Sequence, residues 1–219
     1  MGANLSRILN LGCGLKPRSV DGTWTEVVNL DRLPLPGVNV VWDLDRFPWP
    51  FDDEEFDSIE ADNVIEHVEN LVGFIEECHR LLKLCRPNGD PGLLCVTGPL
   101  AGSLNHFIDP THKRGLTEWT FDFFDPRTGY GADATYYSWA RFEVWKFQVL
   151  RGSEGTTEDA NRPLPATVWQ HALCRTGGVD LRFQLVKRPA DESIRHLFET
   201  AKTQTIRHNL MHGVNLPCP

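Results

Sequence analysis

The sequence predicts an α/β protein built on one doubly wound, mostly parallel sheet. Short apolar runs that end on glycine or aspartate come first, as is typical of buried parallel strands. A long helical pattern then separates two of these runs, which is the order expected of strand–helix–strand units. The 219 residues contain neither an internal repeat nor a linker long enough to split the chain, so we predict a single domain over residues 1–219.

Five strands are predicted in the first half of the chain. Their apolar runs cover residues 7–11, 26–30, 38–42, 56–61 and 93–97. The first run is followed by Gly12 and Gly14, the second by Asp31 and the third by Asp43. Because open α/β sheets bind ligands at the carboxyl ends of their strands, we expect these residues to lie at a binding site.

A long helix is predicted between the fourth and fifth strands, over residues 64–83. Apolar residues recur there at three- and four-residue steps, with charged residues between them. We interpret glutamates such as Glu66 as the solvent-exposed face of this helix, and His67 as a packing or capping partner. Farther along the chain, the sequence predicts strands over 141–149 and 179–187 and helices over 117–124, 166–175 and 191–212.

Composition excludes several classes of function. The chain has 22 Lys+Arg against 30 Asp+Glu, a formal net charge of -8, which disfavours nucleic acid as a partner. No apolar run reaches the roughly 18 residues of a membrane span, and no secretory pattern opens the sequence. Six cysteines are scattered without a CxxC pair, which is typical of reduced thiols. We expect a soluble, cytoplasmic protein without a membrane partner.

The turn after the first strand and the ends of the next two strands predict a pocket for a ligand with one ribose. Asp31 lies 19 residues beyond Gly12, where a carboxylate can accept both ribose hydroxyls. Asp43 and Leu44 offer a polar acceptor and an apolar wall for a flat base. Taken singly, each aspartate is equally well explained as a turn former or helix cap. Pro17 stands where a dinucleotide site has its third glycine, which argues against a pyrophosphate.

Several motifs occur together over about residues 7–99 and resemble those of the class I S-adenosylmethionine-dependent methyltransferases. They are Leu9–Gly14, Val28–Asp31, Trp42–Leu44, Phe47–Phe51, Glu55–Asp57, Asn63–Val68 and Arg80–Lys83. The resemblance implies S-adenosylmethionine as the cofactor and a seven-stranded sheet with an antiparallel last strand. It also implies a cofactor-binding half over 7–99.

The resemblance also assigns roles to individual residues. Gly12, Cys13 and Gly14 would pass beside the methionine moiety, and Asp31 would hold the ribose. Further members of the predicted cofactor site are Asp43 and Leu44 at the adenine, Asn63 at the methionine end or the acceptor, and the adjoining Leu11 and Arg32.

Two departures from nucleic-acid methyltransferases argue against such substrates. The segment 61–64 does not read Asp/Asn-Pro-Pro-Tyr/Phe, the signature of amino-directed DNA enzymes. Cys218, at the end of the chain, is misplaced for the nucleophile of a cytosine-C5 enzyme. The loop over 84–92 is also longer than the family's Pro-Gly-Gly turn, which affects the loop and not the predicted cofactor pocket.

The segment after the fifth strand holds the candidate catalytic residues His106, Asp109 and His112. Spacings of three place a base beside an orienting carboxylate, with His112 as the predicted base. The same residues could ligate a divalent metal or only stabilise a turn; we predict no bound metal. In this family acceptors enter on this side, and we expect residues 101–140, with aromatic side chains between 119 and 139, to form a loop and helix cap.

The predicted function is therefore methyl transfer to a small-molecule, sugar-like or phenolic acceptor, at oxygen or nitrogen. The expected partners are that acceptor and, in a homodimer, a second copy of the chain. The rival hypotheses are an NAD-dependent oxidoreductase, against which the missing third glycine counts, and a regulatory protein that binds the cofactor without catalysis.

Overall fold

The computed structural model describes residues 6–22, 25–151, 156–160, 163–164, 168 and 178–211. Within them, eight strands form one sheet in the order β3-β2-β1-β4-β5-β8-β6-β7. The strands are β1 Arg7–Leu11, β2 Glu26–Asp31, β3 Val40–Val41, β4 Ser58–Asp62, β5 Leu93–Pro99, β6 Phe142–Arg151, β7 Thr156–Asp159 and β8 Val179–Lys187. The α-helices are α1 Leu71–Leu81, α2 Leu104–Ile108, α3 Gly129–Asp133 and α4 Glu192–Met211, and a 3-10 helix covers Asp122–Phe124.

The sheet confirms the predicted fold class. Strands β1 to β5 run parallel to their neighbours, and β8 pairs antiparallel with β5, as the family resemblance implied. All seven predicted strands are present. The short strand β7 pairs with the end of β6 and adds an eighth strand at the edge of the sheet. It comes from a segment in which the sequence predicts no strand.

The connections on the β3 side of the sheet contain no helix among the described residues. After β1 the chain runs in turns and extended segments through Pro17, which lacks the N–H that a helix interior needs. The buried side chain of Asn29 holds this connection: it accepts from Arg18 N at 2.8 Å and donates to Arg18 O at 2.9 Å. Of the parallel crossovers, only the one between β4 and β5 is helical in the part of the chain described.

Helix α1 is shorter than the pattern predicted, and this difference changes the site. The prediction was a helix from residue 64, whereas residues 64–70 form turns and the helix begins at Leu71, capped by the Asn70 side chain. Carbonyls of the turns accept hydrogen bonds from elsewhere in the chain. Lys113 N donates to the Glu66 carbonyl, and the Arg114 guanidinium donates to those of Ile65, Val68 and Glu69.

The core lies on both faces of the sheet. It contains apolar side chains of β1, β4, β5 and β8 together with one face of α1. The predicted helix over 117–124 is reduced to turns and the 3-10 helix, and the predicted helix over 166–175 falls largely outside the described residues. Among the described helices, none has the length and apolar character needed to cross a membrane.

Candidate active site

A cavity of about 370 Å³ lies at the carboxyl ends of the parallel strands, a volume within the range of about 300–1,000 Å³ usual for small-ligand pockets. Register places the ends of β1, β2 and β4 level, because Leu11 pairs with both Leu30 and Ala61. The residues that follow these strands therefore meet around one opening. The wall consists of Gly12, Asp31, Arg32, Trp42, Asp43, Leu44, Asp45, Asn63, Val64, His67, Val68, Thr111 and Lys113.

Gly12 turns the chain at the end of β1. Its φ is 58°, in the left-handed region that favours glycine, and a Cβ at this position would overlap a methyl group of Val64. The absence of a side chain lets Val64 pack against the turn while the backbone stays open to the cavity. This close approach is the physical reason for a glycine at position 12.

Asp31 is held in place by two backbone donors. Its Oδ2 accepts from Gly14 N at 2.8 Å, and its Oδ1 accepts from Leu33 N at 3.0 Å. A carboxylate has about four lone-pair sites, so these bonds leave acceptor capacity at the cavity wall. The geometry suits a carboxylate that receives hydroxyl groups from a ligand.

The loop after β3 supplies an acidic and apolar wall. Asp43 accepts from Asp45 N at 3.1 Å, and Asp45 in turn accepts from Glu69 N at 2.8 Å, which links the loop to the turns before α1. Trp42 is fixed by a 2.9 Å bond from its indole nitrogen to the Arg46 carbonyl. Together with Leu44, it gives this side of the cavity the apolar surface that a flat base needs.

The structure gathers six of the nine predicted cofactor residues on the wall: Gly12, Asp31, Arg32, Asp43, Leu44 and Asn63. The other three lie close by without forming it. Leu11 is fully buried in the core, and the Cys13 side chain is also buried. Gly14 contributes through its hydrogen bond to Asp31.

Of the predicted catalytic residues, Asp109 and His112 come together and His106 does not join them. His112 Nε2 lies 3.8 Å from Asp109 Oδ2. The His106 ring instead accepts from Gly102 N at 3.1 Å and packs against Phe107. Its contribution to His112 is through the backbone, because the His106 carbonyl lies 3.2 Å from His112 Nδ1.

Glu66 was predicted on a solvent-exposed helix face, and the structure corrects this. It lies in the turns before α1, where its side chain is 1% exposed and its Oε1 is 3.8 Å from His112 Nε2. Its Oε2 has no hydrogen-bond partner among the described residues. Burial raises the pKa of Glu66 to about 7, because the charged carboxylate loses its water.

His67 was predicted as a packing or capping partner, whereas the structure places it on the cavity wall. Thr111 Oγ1 lies 2.7 Å from Asp109 Oδ1 and 2.9 Å from His67 Nδ1. Since a hydroxyl has one proton and a carboxylate only accepts, Thr111 donates to Asp109 and accepts from His67. Burial, followed by the neighbouring His112, lowers the pKa of His67. At neutral pH, Nε2 of this imidazole therefore carries a free lone pair.

We name Glu66, His67, Asp109, Thr111 and His112 the acid–base cluster. Its members come from two segments that the fold brings together, residues 66–67 and residues 109–112, and the rings of His67 and His112 meet with centroids 4.8 Å apart. The signal for Glu66 and His67 was present in the Asn63–Val68 motif, but helical periodicity assigned them to the outside of a helix that does not extend there.

The predicted aromatic cap lies apart from the cavity. From residues 101–140, Thr111 and Lys113 reach the wall. Phe121 and Phe124 are core residues, whereas Phe123 and Tyr137 line a separate apolar hollow against α1.

Comparisons with known proteins agree with this architecture. Residues 20–89 match the family model of a methyltransferase domain. The chain is similar to a SAM-dependent methyltransferase from Archaeoglobus fulgidus, with 20% identity, a TM-score of 0.50 and coverage of 84% of this chain and 86% of that one. It is also similar to a protein of Bacillus halodurans provisionally described as a methyltransferase, with 14% identity, a TM-score of 0.53 and coverage of 85% and 94%. No curated protein sequence matches the chain.

At these identities the solved structures support the fold, and the domain model matches residues 20–89 of the chain. The sheet order, the antiparallel β8 and the cavity at the strand ends are consistent with both. Residues 20–89 of the chain thus match a methyltransferase domain, within a fold similar to that of a SAM-dependent methyltransferase of known structure.

Proposed function

We propose that the protein transfers the methyl group of S-adenosylmethionine to a hydroxyl oxygen of a small-molecule acceptor. The observation that carries this proposal is the acid–base cluster beside the cavity. An alcohol or phenol must lose a proton as its oxygen is methylated, and a group of imidazoles and carboxylates beside the cavity can receive it. A neutral amine needs such help less, because it already offers a lone pair.

The residues on the wall fit the cofactor. Gly12 leaves room for the ligand beside the backbone, and Asp31 presents an anchored carboxylate where a ribose would lie. Leu44 and Trp42 offer apolar surface for the adenine. Asn63, directly after β4, also lies on the wall. We assign these residues to the cofactor on that basis.

When bound, the cofactor supplies a sulfonium methyl group with a good leaving group. The chain's residues then have two tasks: to align the acceptor oxygen with the methyl carbon, and to take the proton. His67 reaches the wall with a free Nε2, while Asp109, acting through Thr111, and Glu66 lie where positive charge would develop. Opposite charges this close stabilise a protonated imidazole.

A panel of phenols, sugar alcohols and primary amines tests the proposal, with release of S-adenosylhomocysteine as the readout. We expect turnover with at least one hydroxyl compound. His112→Ala should lower kcat by about 100-fold, the usual scale of general-base catalysis, while calorimetric affinity for S-adenosylhomocysteine stays within a factor of two. The exposed His196→Ala serves as the matched control. Turnover with amines alone, or an unchanged kcat in His112→Ala, would contradict the proposal.

A further inference from the structure

Within the acid–base cluster, Glu66, His67 and His112 form a group whose ligand atoms lie close enough together to hold a metal ion. One ligand atom of each lies within 4.8 Å of the other two. Glu66 and His67 are neighbours in the turns before α1, whereas His112 follows α2. This set differs from His106, Asp109 and His112, the possible metal ligands named from the sequence. His106 is not part of it, because its ring accepts a hydrogen bond from Gly102 N.

The hydrogen bonds around these side chains leave lone pairs facing one another. His112 Nδ1 is next to a carbonyl, which only accepts, so the proton of a neutral ring is on Nδ1 and the lone pair on Nε2. His67 has the same tautomer because it donates through Nδ1 to Thr111. His112 Nε2 is then 3.8 Å from Glu66 Oε1, and when Glu66 is ionised both atoms are acceptors. A cation is what completes such an arrangement.

Glu66 gives a second and independent indication. Its carboxylate is 1% exposed, and Oε2 has no hydrogen-bond partner among the residues that the structure describes. A buried polar atom without a partner costs free energy, so native proteins usually pair it or coordinate it to an ion. The unpaired oxygen belongs to the side chain that faces His112.

We propose that Glu66, His67 and His112 bind one divalent transition-metal ion beside the cofactor cavity. Two imidazoles and one carboxylate suit zinc, cobalt, iron or manganese, whereas magnesium prefers oxygen ligands. Metal–ligand bonds of about 2.0–2.2 Å place tetrahedral donors about 3.3 Å or slightly more apart. The ligands therefore close by about 0.5 Å for the 3.8 Å pair and by at most about 1.5 Å for the widest one.

The surroundings already orient the two imidazoles as metal sites require. Ligating histidines normally donate their other N–H to a carboxylate, a carbonyl or a linked hydroxyl, which fixes the ring and its tautomer. Thr111, backed by Asp109, does this for His67, and the His106 carbonyl does it for His112. Three protein ligands also leave coordination positions free, as in catalytic zinc sites.

The catalytic role of the ion rests on the function proposed above, while the site itself does not. An acceptor hydroxyl bound at a free position would be more acidic, and its proton would leave to water. An oxygen lone pair then forms the bond to the methyl carbon as the carbon–sulfur bond breaks, with that electron pair remaining on sulfur. With the ion bound, His67 and His112 hold the metal and the ion acidifies the hydroxyl; without the ion, the same imidazoles are free to take the proton as proposed above.

Cobalt chloride is the probe, because its visible absorption reports coordination without any acceptor. EDTA-treated full-length protein is titrated with cobalt chloride, and we expect one equivalent to bind with an absorption typical of four or five ligands. Glu66→Gln and His67→Ala should each weaken binding at least tenfold, and Thr111→Val, which removes the hydroxyl behind His67, by about tenfold. His196→Ala, an exposed histidine on α4, should bind cobalt as the wild type does.

Circular dichroism and thermal unfolding, measured on each variant, show that the fold is retained. Absence of stoichiometric cobalt binding by the wild type would overturn the metal proposal. Equal affinity in wild type, Glu66→Gln and His67→Ala would also overturn it. Methylation of hydroxyl compounds at full rate by cobalt-free, EDTA-treated protein would remove the ion from the reaction and leave the proposed function standing. Cobalt binding without any methylation would contradict the proposed function alone.

Discussion

At the scale of single residues, the wall of the cavity depends on backbone geometry as much as on side-chain chemistry. Gly12 is required because its φ is positive and Val64 occupies the space of a Cβ. Asp31 is positioned by the N–H groups of Gly14 and Leu33, so its carboxylate is rigid before a ligand arrives. A pre-positioned acceptor contributes more to affinity because little side-chain entropy is lost on binding.

Asp31→Ala should weaken binding of S-adenosylhomocysteine by more than about 1 kcal/mol, because it removes an acceptor for the ribose hydroxyls. Calorimetry with the 2′-deoxy analogue sharpens the test. Wild type should prefer the ribose form over the deoxy form, and Asp31→Ala should lose that preference. The exposed Asp52→Ala is the control. A preference retained in Asp31→Ala would show that the carboxylate does not contact the ribose.

At the scale of elements, the turns before α1 decide which residues face the cavity. Had the helix begun at residue 64, the Glu66 carboxylate would lie among the charged residues of its outer face. The chain instead forms turns whose carbonyls bond to Lys113 and Arg114. These hydrogen bonds hold the segment that contains His112 against the segment that contains Glu66 and His67, and so bring the acid–base cluster together.

Arg114→Ala should destabilise these turns, because it leaves carbonyls of residues 65, 68 and 69 without their donor. We expect a loss of about 1–3 kcal/mol in the free energy of unfolding and a decrease in kcat of the methylation reaction. Urea unfolding measures the first and turnover the second. Arg46→Ala, which removes an exposed arginine, should change neither. Wild-type stability in Arg114→Ala would mean that the turns hold without the guanidinium.

At the scale of the whole molecule, α1 is attached to the antiparallel part of the sheet through a buried histidine. His79 on α1 bonds through Nε2 to the Arg188 carbonyl at 2.8 Å and packs against Trp139 and Phe142. Burial lowers the pKa of His79 to about 3, and the nearby cation Lys187 acts in the same direction. The folded protein therefore keeps this ring neutral where the unfolded chain would protonate it.

Because the pKa of His79 is lower in the folded protein than in the unfolded chain, the free energy of unfolding decreases as pH falls. The unfolded-state pKa is about 6.5, so the stability contributed by neutral His79 is complete above that pH. It falls as pH decreases from 6.5 to about 3, by at most about 1.4 kcal/mol per pH unit. His79→Gln should show a smaller decrease in Tm between pH 7 and pH 5 than the wild type. His196→Gln is the exposed control, and identical decreases in all three proteins would contradict the assignment.

The sequence by itself determined the fold class and the strand ends that form the cavity, and the cofactor was implied by a family resemblance. These features are local, because buried strands, glycine turns and terminal aspartates each leave a pattern within a few residues. The parallel register then brings Gly12, Asp31 and Asn63 to one opening. The proximity of the His112 and Asp109 side chains was also predicted in this way, from their short spacing.

Only the tertiary structure decided the composition of the acid–base cluster. The apolar periodicity could not predict that residues 64–70 form turns instead of a helix. The hydrogen bonds that hold these turns come from Lys113 and Arg114, more than 40 positions away. For the same reason Glu66 and His67 were assigned to a helix. Long-range hydrogen bonds of this kind have no signature in local sequence. They hold residues 64–70 as turns, and the turns place Glu66 and His67 in the acid–base cluster.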